Sequence, residues 1–400
     1  MNAFKEIQLS SVVDINARSY SSKDSFSSVY YLDTGNITQN TVDKIVYYDL
    51  EQEKLPSRAR RKIKLNSVVY STVRPNQRHY GIIRKEMPSN FLVSTGFAVI
   101  DAKQDYISPE YLYYFLTQNE IVETLQSIAE QSVSTYPSIT AKDIGNLQLR
   151  LPPVETQKRI ASILRSLDDK IELNNRINAN LEELLLSVFK NCFAIDIAHT
   201  SENNCPVLGD LVTVIDNRGK TPPLVTNISD YPIIDVGALK GKGRIIEYGN
   251  CTKYVNETTY HTWFRSGHPR KWDILLSTVG SIAEMKVFLG NKGCIAQNVV
   301  ALRSIHVSPL YLYQYLLYIR DDLIAYNIGS VQPSIKVTHI IKHPIYIPNE
   351  QQMKNFDDIA RSLTNLMYNN YIENEKVKAI RDSLLPKLMS GELDVSKVKL

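Results

Sequence analysis

The sequence predicts a mixed α+β protein. Two tandem globular domains are each followed by a long helix, the two helices pack antiparallel as a coiled coil, and the halves form a pseudo-two-fold internal repeat. Three observations predict this. Residues 154–190 contain no Gly or Pro and carry apolar side chains in alternating three- and four-residue steps. A second such stretch, Ile347–Leu393, has a similar entry (Pro348, Glu350 and Gln352 against Pro153, Glu155 and Gln157). Six segments recur in the same order about 195–206 residues apart, which chance does not readily produce.

The first domain spans residues 1–150. It opens on an apolar element around Phe4–Val13, followed by a Ser-, Asp- and Asn-rich loop over 14–28. Strands are expected near Tyr30–Ile37, Ser67–Val73 and Phe91–Ile100. Ser108-Pro109-Glu110 has the residue types of a helix start. Residues 151–193 form the first spacer helix, which enters from Pro152-Pro153. Its uninterrupted part, residues 154–190, is roughly 50 Å long at 1.5 Å per residue. Its stripe includes Ile160, Leu164, Leu167, Ile171, Leu181 and Leu184, interrupted by Asn174 and Asn178. Residues 194–207 are read as a linker and 208–346 as the second domain. There Ile233–Leu239, Leu276–Val279, Val299–Leu302, Ser308–Leu316 and Pro333–Ile335 repeat the first-half order. Residues 347–400 hold the second spacer helix and the tail. Its stripe is read as Ile359, Leu363, Leu366, Asn370, Val377, Ile380 and Leu384. Asn residues at the seam weaken it but fix its register.

Composition excludes several classes. The chain is 400 residues, 43% hydrophobic and 22% charged, which suits folded domains rather than disorder. It has no apolar leader and no 18-residue apolar run, so the expectation is a cytoplasmic protein. Its four cysteines have no Cys-x-x-Cys spacing, and its seven histidines have no metal-ligand spacing, so no metal is expected.

Net charge is only +4, but it is unevenly placed. Residues 56–85 contain nine basic residues and no acid; residues 236–271 contain seven basic residues against Glu247 and Glu257. A polyanion is the natural partner of such patches. Candidate contacts in the first domain are Arg58, Arg60, Arg61, Lys62, Lys64, Arg74 and Arg78, with Asn76 and Gln77 as candidate base readers in the same loop. Candidates in the second domain are Lys240, Lys242, Arg244, Arg265, Arg270 and Lys271. The bland reading of these residues is a solvated face. The tyrosines at 111, 113, 114, 311, 313 and 315 read as helix packing rather than base stacking.

Leu151–Phe193 (LPPVETQKRIASILRSLDDKIELNNRINANLEELLLSVFKNCF) resembles the central conserved region of specificity subunits of type I restriction-modification systems. Leu384–Val395 (LLPKLMSGELDV) resembles the close of their distal conserved region, and Asp230–Gly243 (DYPIIDVGALKGKG) the start of one of their target-recognition domains. The resemblance implies a non-catalytic chain whose two recognition domains each read one half of a split duplex DNA site. The helices then set the spacer between half-sites and dock two adenine methyltransferase subunits. Leu173, Leu186 and Phe189, off the main stripe, are plausible contacts for them. Restriction/translocase subunits join that core. S-adenosylmethionine, ATP and magnesium belong to those partners, and this chain is expected to bind none of them. A helix of about 50 Å is also long enough to hold two domains one turn of DNA apart, about 34 Å.

The rival reading is a stand-alone nuclease or methyltransferase with duplicated DNA-binding domains. Asp273 with Glu284-Met285-Lys286 has the residue order of a metal-dependent nuclease. No nucleotide-binding glycine loop and no Asn/Asp-Pro-Pro-aromatic methyltransferase motif is present. A third reading is a coiled-coil assembly protein without DNA affinity.

Overall fold

The structure, a computed structural model, describes residues 5–21, 23–132, 136–199, 205–290 and 292–395, so Phe4 lies outside it. The chain divides into two units, Met1–Lys170 with Val377–Leu400, and Ile171–Lys376, each taking part of both long helices.

In the first unit, Lys5–Gln8 pairs antiparallel with Gln148–Leu151. One sheet has the order Val13–Ile15, Phe97–Ala102, Val68–Ser71, Tyr80–Ile82; another has Val46–Asp49, Ser28–Leu32, Phe91–Ser94, Ala59–Lys62. The continuous apolar runs at Val68–Tyr70 and Phe97–Ile100 are buried at every residue, as strands covered on both faces require. Ser28–Leu32 and Phe91–Ser94 run parallel. Helix Pro109–Thr117 buries Tyr111 through Leu116, so its tyrosines are packing residues. Ile160 and Leu164 of the first long helix and Leu385, Leu388 and Met389 of the second complete this core.

The second unit uses the same plan. Its sheet order is Val212–Ile215, Val299–Ser304, Ile274–Ser277, Met285–Val287, and Tyr231–Ile234 runs parallel to Cys294–Ile295. Helix Pro309–Tyr318 again buries its tyrosines at 311, 313 and 315. The repeat reaches single hydrogen bonds. Thr72 N–H donates to Gly96 O and Thr278 N–H to Asn298 O, both at 2.8 Å. Ile139 N–H donates to Thr72 O and Ile335 N–H to Thr278 O, again at 2.8 Å.

The long helices span Val154–His199 and Glu350–Ser390. Residues 194–199, expected as linker, therefore belong to the first helix. Phe193 is buried with Phe189 and Phe356, and that packing carries the helix past the expected end. Gln157 anchors the helix entry: its Nε2 donates to Tyr106 O (3.0 Å) and Pro152 O (2.8 Å), and its Oε1 accepts from Ser108 N–H (2.8 Å).

The seam in the second unit is an asparagine ladder. Asn174 Nδ2 donates to Asn374 Oδ1 (2.9 Å) and Glu373 Oε2 (2.8 Å), and Asn374 Nδ2 donates to Asn175 Oδ1 (2.8 Å). Asn370 Nδ2 donates to Asn178 Oδ1 (2.8 Å), and Asn178 Nδ2 to Met367 O (3.1 Å). Partners rise in number on one helix as they fall on the other, so the pair is antiparallel. A register slip strands these amides, at about 1–3 kcal/mol for each one buried without a partner.

The predicted stripe faces inward on the first helix except at Leu184 and is out of phase on the second. Ile160, Leu164, Ile171 and Asn174 are buried; Leu167 and Leu181 are half-buried; Leu184 is exposed. On the second helix Leu363, Asn370, Val377 and Leu384 are half-buried, but Ile359, Leu366 and Ile380 are 45%, 44% and 49% exposed. The buried face there is Phe356, Ala360, Thr364, Met367 and Asn374. Large aliphatics alone mark the wrong side because this face is phased by polar partners: the Asn ladder, and Thr364, which accepts from Arg244. Phe189, expected off the stripe, is fully buried, whereas Leu173 is exposed. Among the described residues no helix is long and apolar enough to cross a membrane.

Candidate nucleic-acid interface

The first basic window begins at a sheet edge. Ala59–Lys62 is an edge strand, and residues 18–20 run beside it: Tyr20 N–H donates to Arg60 O (2.7 Å). Strand alternation buries Ala59 and exposes Arg60, while Arg58 is exposed in the turn before it. Arg61 and Lys62 are half-buried, and Lys62 is ion-paired with Asp24, whose carboxyl it holds below its usual value. Lys64 is exposed, with Nζ 3.8 Å from Asp101. Arg58 and Arg60 have no acidic partner among the described residues; Arg60 lies over the Tyr20 ring at 5.8 Å. The sequence window thus separates into cations open to an incoming anion and cations already matched.

Arg74, Asn76, Gln77 and Arg78 come together in one tight turn, Pro75–Gln77, between two core strands. Pro75 is buried, while Arg74, Asn76 and Gln77 are exposed. Both flanking arginines are left-handed, Arg74 at φ 48° and Arg78 at φ 57°. Arg78 Nη2 donates to Asn119 Oδ1 (2.9 Å), and Arg74 lies over the Tyr136 ring at 5.2 Å.

In the second unit the candidates scatter. Lys240 and Lys242 are exposed on one loop, Arg265 on another, and Arg270 with Lys271 on a third, where Lys271 lies over Trp272 at 5.3 Å. Arg244 is a correction: it is 1% exposed and cannot meet a phosphate. Its Nε and Nη2 donate to Glu182 on the first long helix (2.9 and 2.7 Å), its Nη1 to Thr364 on the second (2.8 Å) and its Nη2 also to Gln314 (3.3 Å). Burial opposes its charge, but Glu182 outweighs burial and holds the guanidinium protonated.

Beside it, buried Lys286 donates Nζ to the carbonyls of Gly241 (3.0 Å), Lys242 (3.3 Å) and Gly243 (2.7 Å). Burial pushes this ammonium below its ordinary value. Arg244 and Lys286 thus hold the 240–243 loop, leaving Lys240 and Lys242 outward. The nuclease-like triplet dissolves here. Asp273 accepts from Arg303 (2.7 and 3.1 Å), Glu284 from Arg320 (2.9 Å), and Lys286 serves the loop. Among the described residues no group of three His, Cys, Asp or Glu could hold a metal.

A feature absent from the sequence reading is a cleft at the carboxyl ends of the parallel strands Tyr231–Ile234 and Cys294–Ile295. It is lined by Thr221, Asp235, Lys253, Gln297 and Asn298 among others. Such strand ends are where open sheets commonly receive ligands. Gln297, left-handed at φ 41°, donates Nε2 to Thr221 Oγ1. The parallel pairing of Ile233 with Cys294, 61 residues later, helps form this cleft, so no local signal marks it.

A family model for the type I restriction modification DNA specificity domain matches residues 1–183 and again 206–381. The HindI specificity subunit of Haemophilus influenzae is 26% identical over 92% of this chain and 95% of its own length. The MjaIX specificity subunit of Methanocaldococcus jannaschii is 26% identical over 76% of this chain and 73% of its own. The crystal structure of a type I restriction-modification S subunit from M. genitalium aligns over 96% of both chains at 16% identity, with a TM-score of 0.49.

Proposed function

We propose, from the premise that this chain belongs to the type I restriction-modification DNA specificity family as a specificity subunit with two tandem target-recognition domains, that each domain reads one half of a bipartite duplex site. The duplicated frame carries this reading, since one family description matches it twice. Exposed cations in each half supply phosphate contacts: Arg58 and Arg60 in the first, and Lys240, Lys242, Arg265, Arg270 and Lys271 in the second.

The paired helices set the spacer and dock two adenine methyltransferase subunits. Leu173, Leu184, Ile359 and Leu366, large aliphatics left outside the seam, support a docking role. This chain itself is non-catalytic. S-adenosylmethionine is bound by the methyltransferase subunits, and ATP and magnesium by restriction/translocase subunits where these join.

The test is co-expression with an adenine methyltransferase encoded beside the gene, followed by mapping of methylated adenines. A split motif with a fixed gap is expected; a contiguous motif, or no methylation above background, refutes the reading. Deleting seven residues from each helix removes about 10 Å, equivalent to ~3 base pairs. The gap should shorten while both half-sites persist, and an unchanged gap rejects the spacer role.

A further inference from the structure

One turn of the shared frame differs between the halves in a way that singles out Arg74. In the first unit it joins strands Val68–Ser71 and Tyr80–Ile82; in the second it joins Ile274–Ser277 and Met285–Val287. Hydrogen bonds fix the equivalence. Ser71 N–H donates to His79 O and Ser277 N–H to Glu284 O, both at 2.9 Å. Arg74 N–H donates to Pro137 O and Gly280 N–H to Pro333 O, also at 2.9 Å. Arg74 and Gly280 therefore occupy one position.

That position is left-handed in both units, φ 48° at Arg74 and φ 85° at Gly280. Glycine accepts such a backbone freely, whereas a side chain with a Cβ is strained there. The other end of the turn is left-handed too, at Arg78 and Ala283, both φ 57°. The frame thus imposes the conformation, and the first unit keeps arginine where the second uses glycine.

Local structure gives that side chain little reason to be there. Gly280 closes the turn with the same N–H bond and no side chain. Arg74 is exposed, and among the described residues its guanidinium has one partner, the Tyr136 ring 5.2 Å away. Phosphate attraction needs no strained position, since unstrained Arg58 and Arg60 supply charge nearby in sequence. A guanidinium fixed at a left-handed turn and laid on a ring is instead pre-oriented, as bidentate recognition of a planar edge requires. Residues held in strained backbone cluster at binding sites.

We propose that Arg74 is a specificity-determining residue that hydrogen-bonds the O6/N7 edge of a guanine in the half-site read by the first unit. This rests on the DNA-reading role proposed above. The test uses the assembled complex with its methyltransferase subunits, with methylated adenines mapped and thermal unfolding measured in parallel. Arg74→Gly should relax the motif at one position of one half-site. Methylation of the original site should slow roughly 10- to 100-fold, while the unfolding midpoint is unchanged or raised. Arg74→Lys, which keeps the charge but loses the fork, should relax the motif as well. Arg74→Asn, which tolerates left-handed backbone, serves if the glycine variant does not assemble.

An unchanged motif at an unchanged rate in Arg74→Gly overturns the proposal. So does full rescue by lysine, which assigns a phosphate contact. A lower midpoint with slower methylation at an unchanged motif assigns a packing role and overturns it too. A wild-type complex without any split motif instead overturns the underlying reading, and the two failures are distinguishable.

Discussion

Replacing Arg244 measures how firmly the second unit is fastened to its stretch of the long helices. The guanidinium is buried with the Glu182 carboxylate at 2.7 Å, and the Glu182 side chain is 18% exposed. Two further acceptors, Thr364 and Gln314, complete the site, and Tyr313 lies 5.1 Å beneath it. Arg244→Met keeps much of the bulk but leaves Glu182 with a partly buried, uncompensated charge. Breaking one side of a buried pair costs about 3–5 kcal/mol. Some solvent reaches Glu182, so the lower end, about 3 kcal/mol, is expected. Removing both charges in Arg244→Met/Glu182→Leu should recover most of that, since apolar replacement of a whole buried pair is often close to neutral. The coupling between the two sites should then be at least about 2 kcal/mol, rising by whatever Glu182→Leu costs alone. Both tryptophans, Trp263 and Trp272, lie in the second unit, so their fluorescence in urea reports its unfolding. A cost below about 1 kcal/mol for Arg244→Met, or a double variant as unstable as the sum of the singles, refutes the anchor.

Two further outcomes are expected. Changing exposed Arg58 and Arg60 together to Gln should lower the log–log salt slope of DNA binding by the complex by up to about 1.8, at 0.9 per phosphate contact. Lys62→Gln, whose charge already meets Asp24, should change it little; an equal loss per residue rejects that division. Burial pushes the Cys251 thiol up to about 11 and Cys294 to about 12, while Cys192 is exposed. Both buried thiols stay protonated in the fold after their unfolded forms ionise near pH 8.5. The stability they confer is therefore complete below about pH 8.5 and is lost as pH rises towards 11–12. Native labelling at pH 8 should modify two thiols at most, with Cys251 and Cys294 reacting only in denaturant. Four thiols reacting in the native chain rules this out.

The repeat was legible because it rests on local patterns. Ser108-Pro109 and Ser308-Pro309 open helices whose tyrosines are buried in both units. Apolar runs such as Val68–Tyr70 and Val299–Leu302 announce core elements without any tertiary information. The candidate interface was half legible. A run of arginines locates a basic element, but strand alternation and neighbouring acids decide which charges stay open. Arg60 and Lys62 are two residues apart on one strand, yet only Lys62 meets an acid.

By itself the sequence determined the duplicated frame, the two long helices and the placement of positive charge in the globular parts, because periodicity, turn residues and composition act over short distances. Tertiary structure decided what depends on partners distant in the chain. It put Arg244 inside against Glu182, 62 residues away, and turned Lys286 onto three carbonyls of a loop more than 40 residues earlier. It also moved the buried face of the second helix from Ile359, Leu366 and Ile380 to Phe356, Thr364 and Met367. The physical reason is common to all three. A buried polar group must find its partner, and the partner's place is set by how the chain folds back, which no local pattern records.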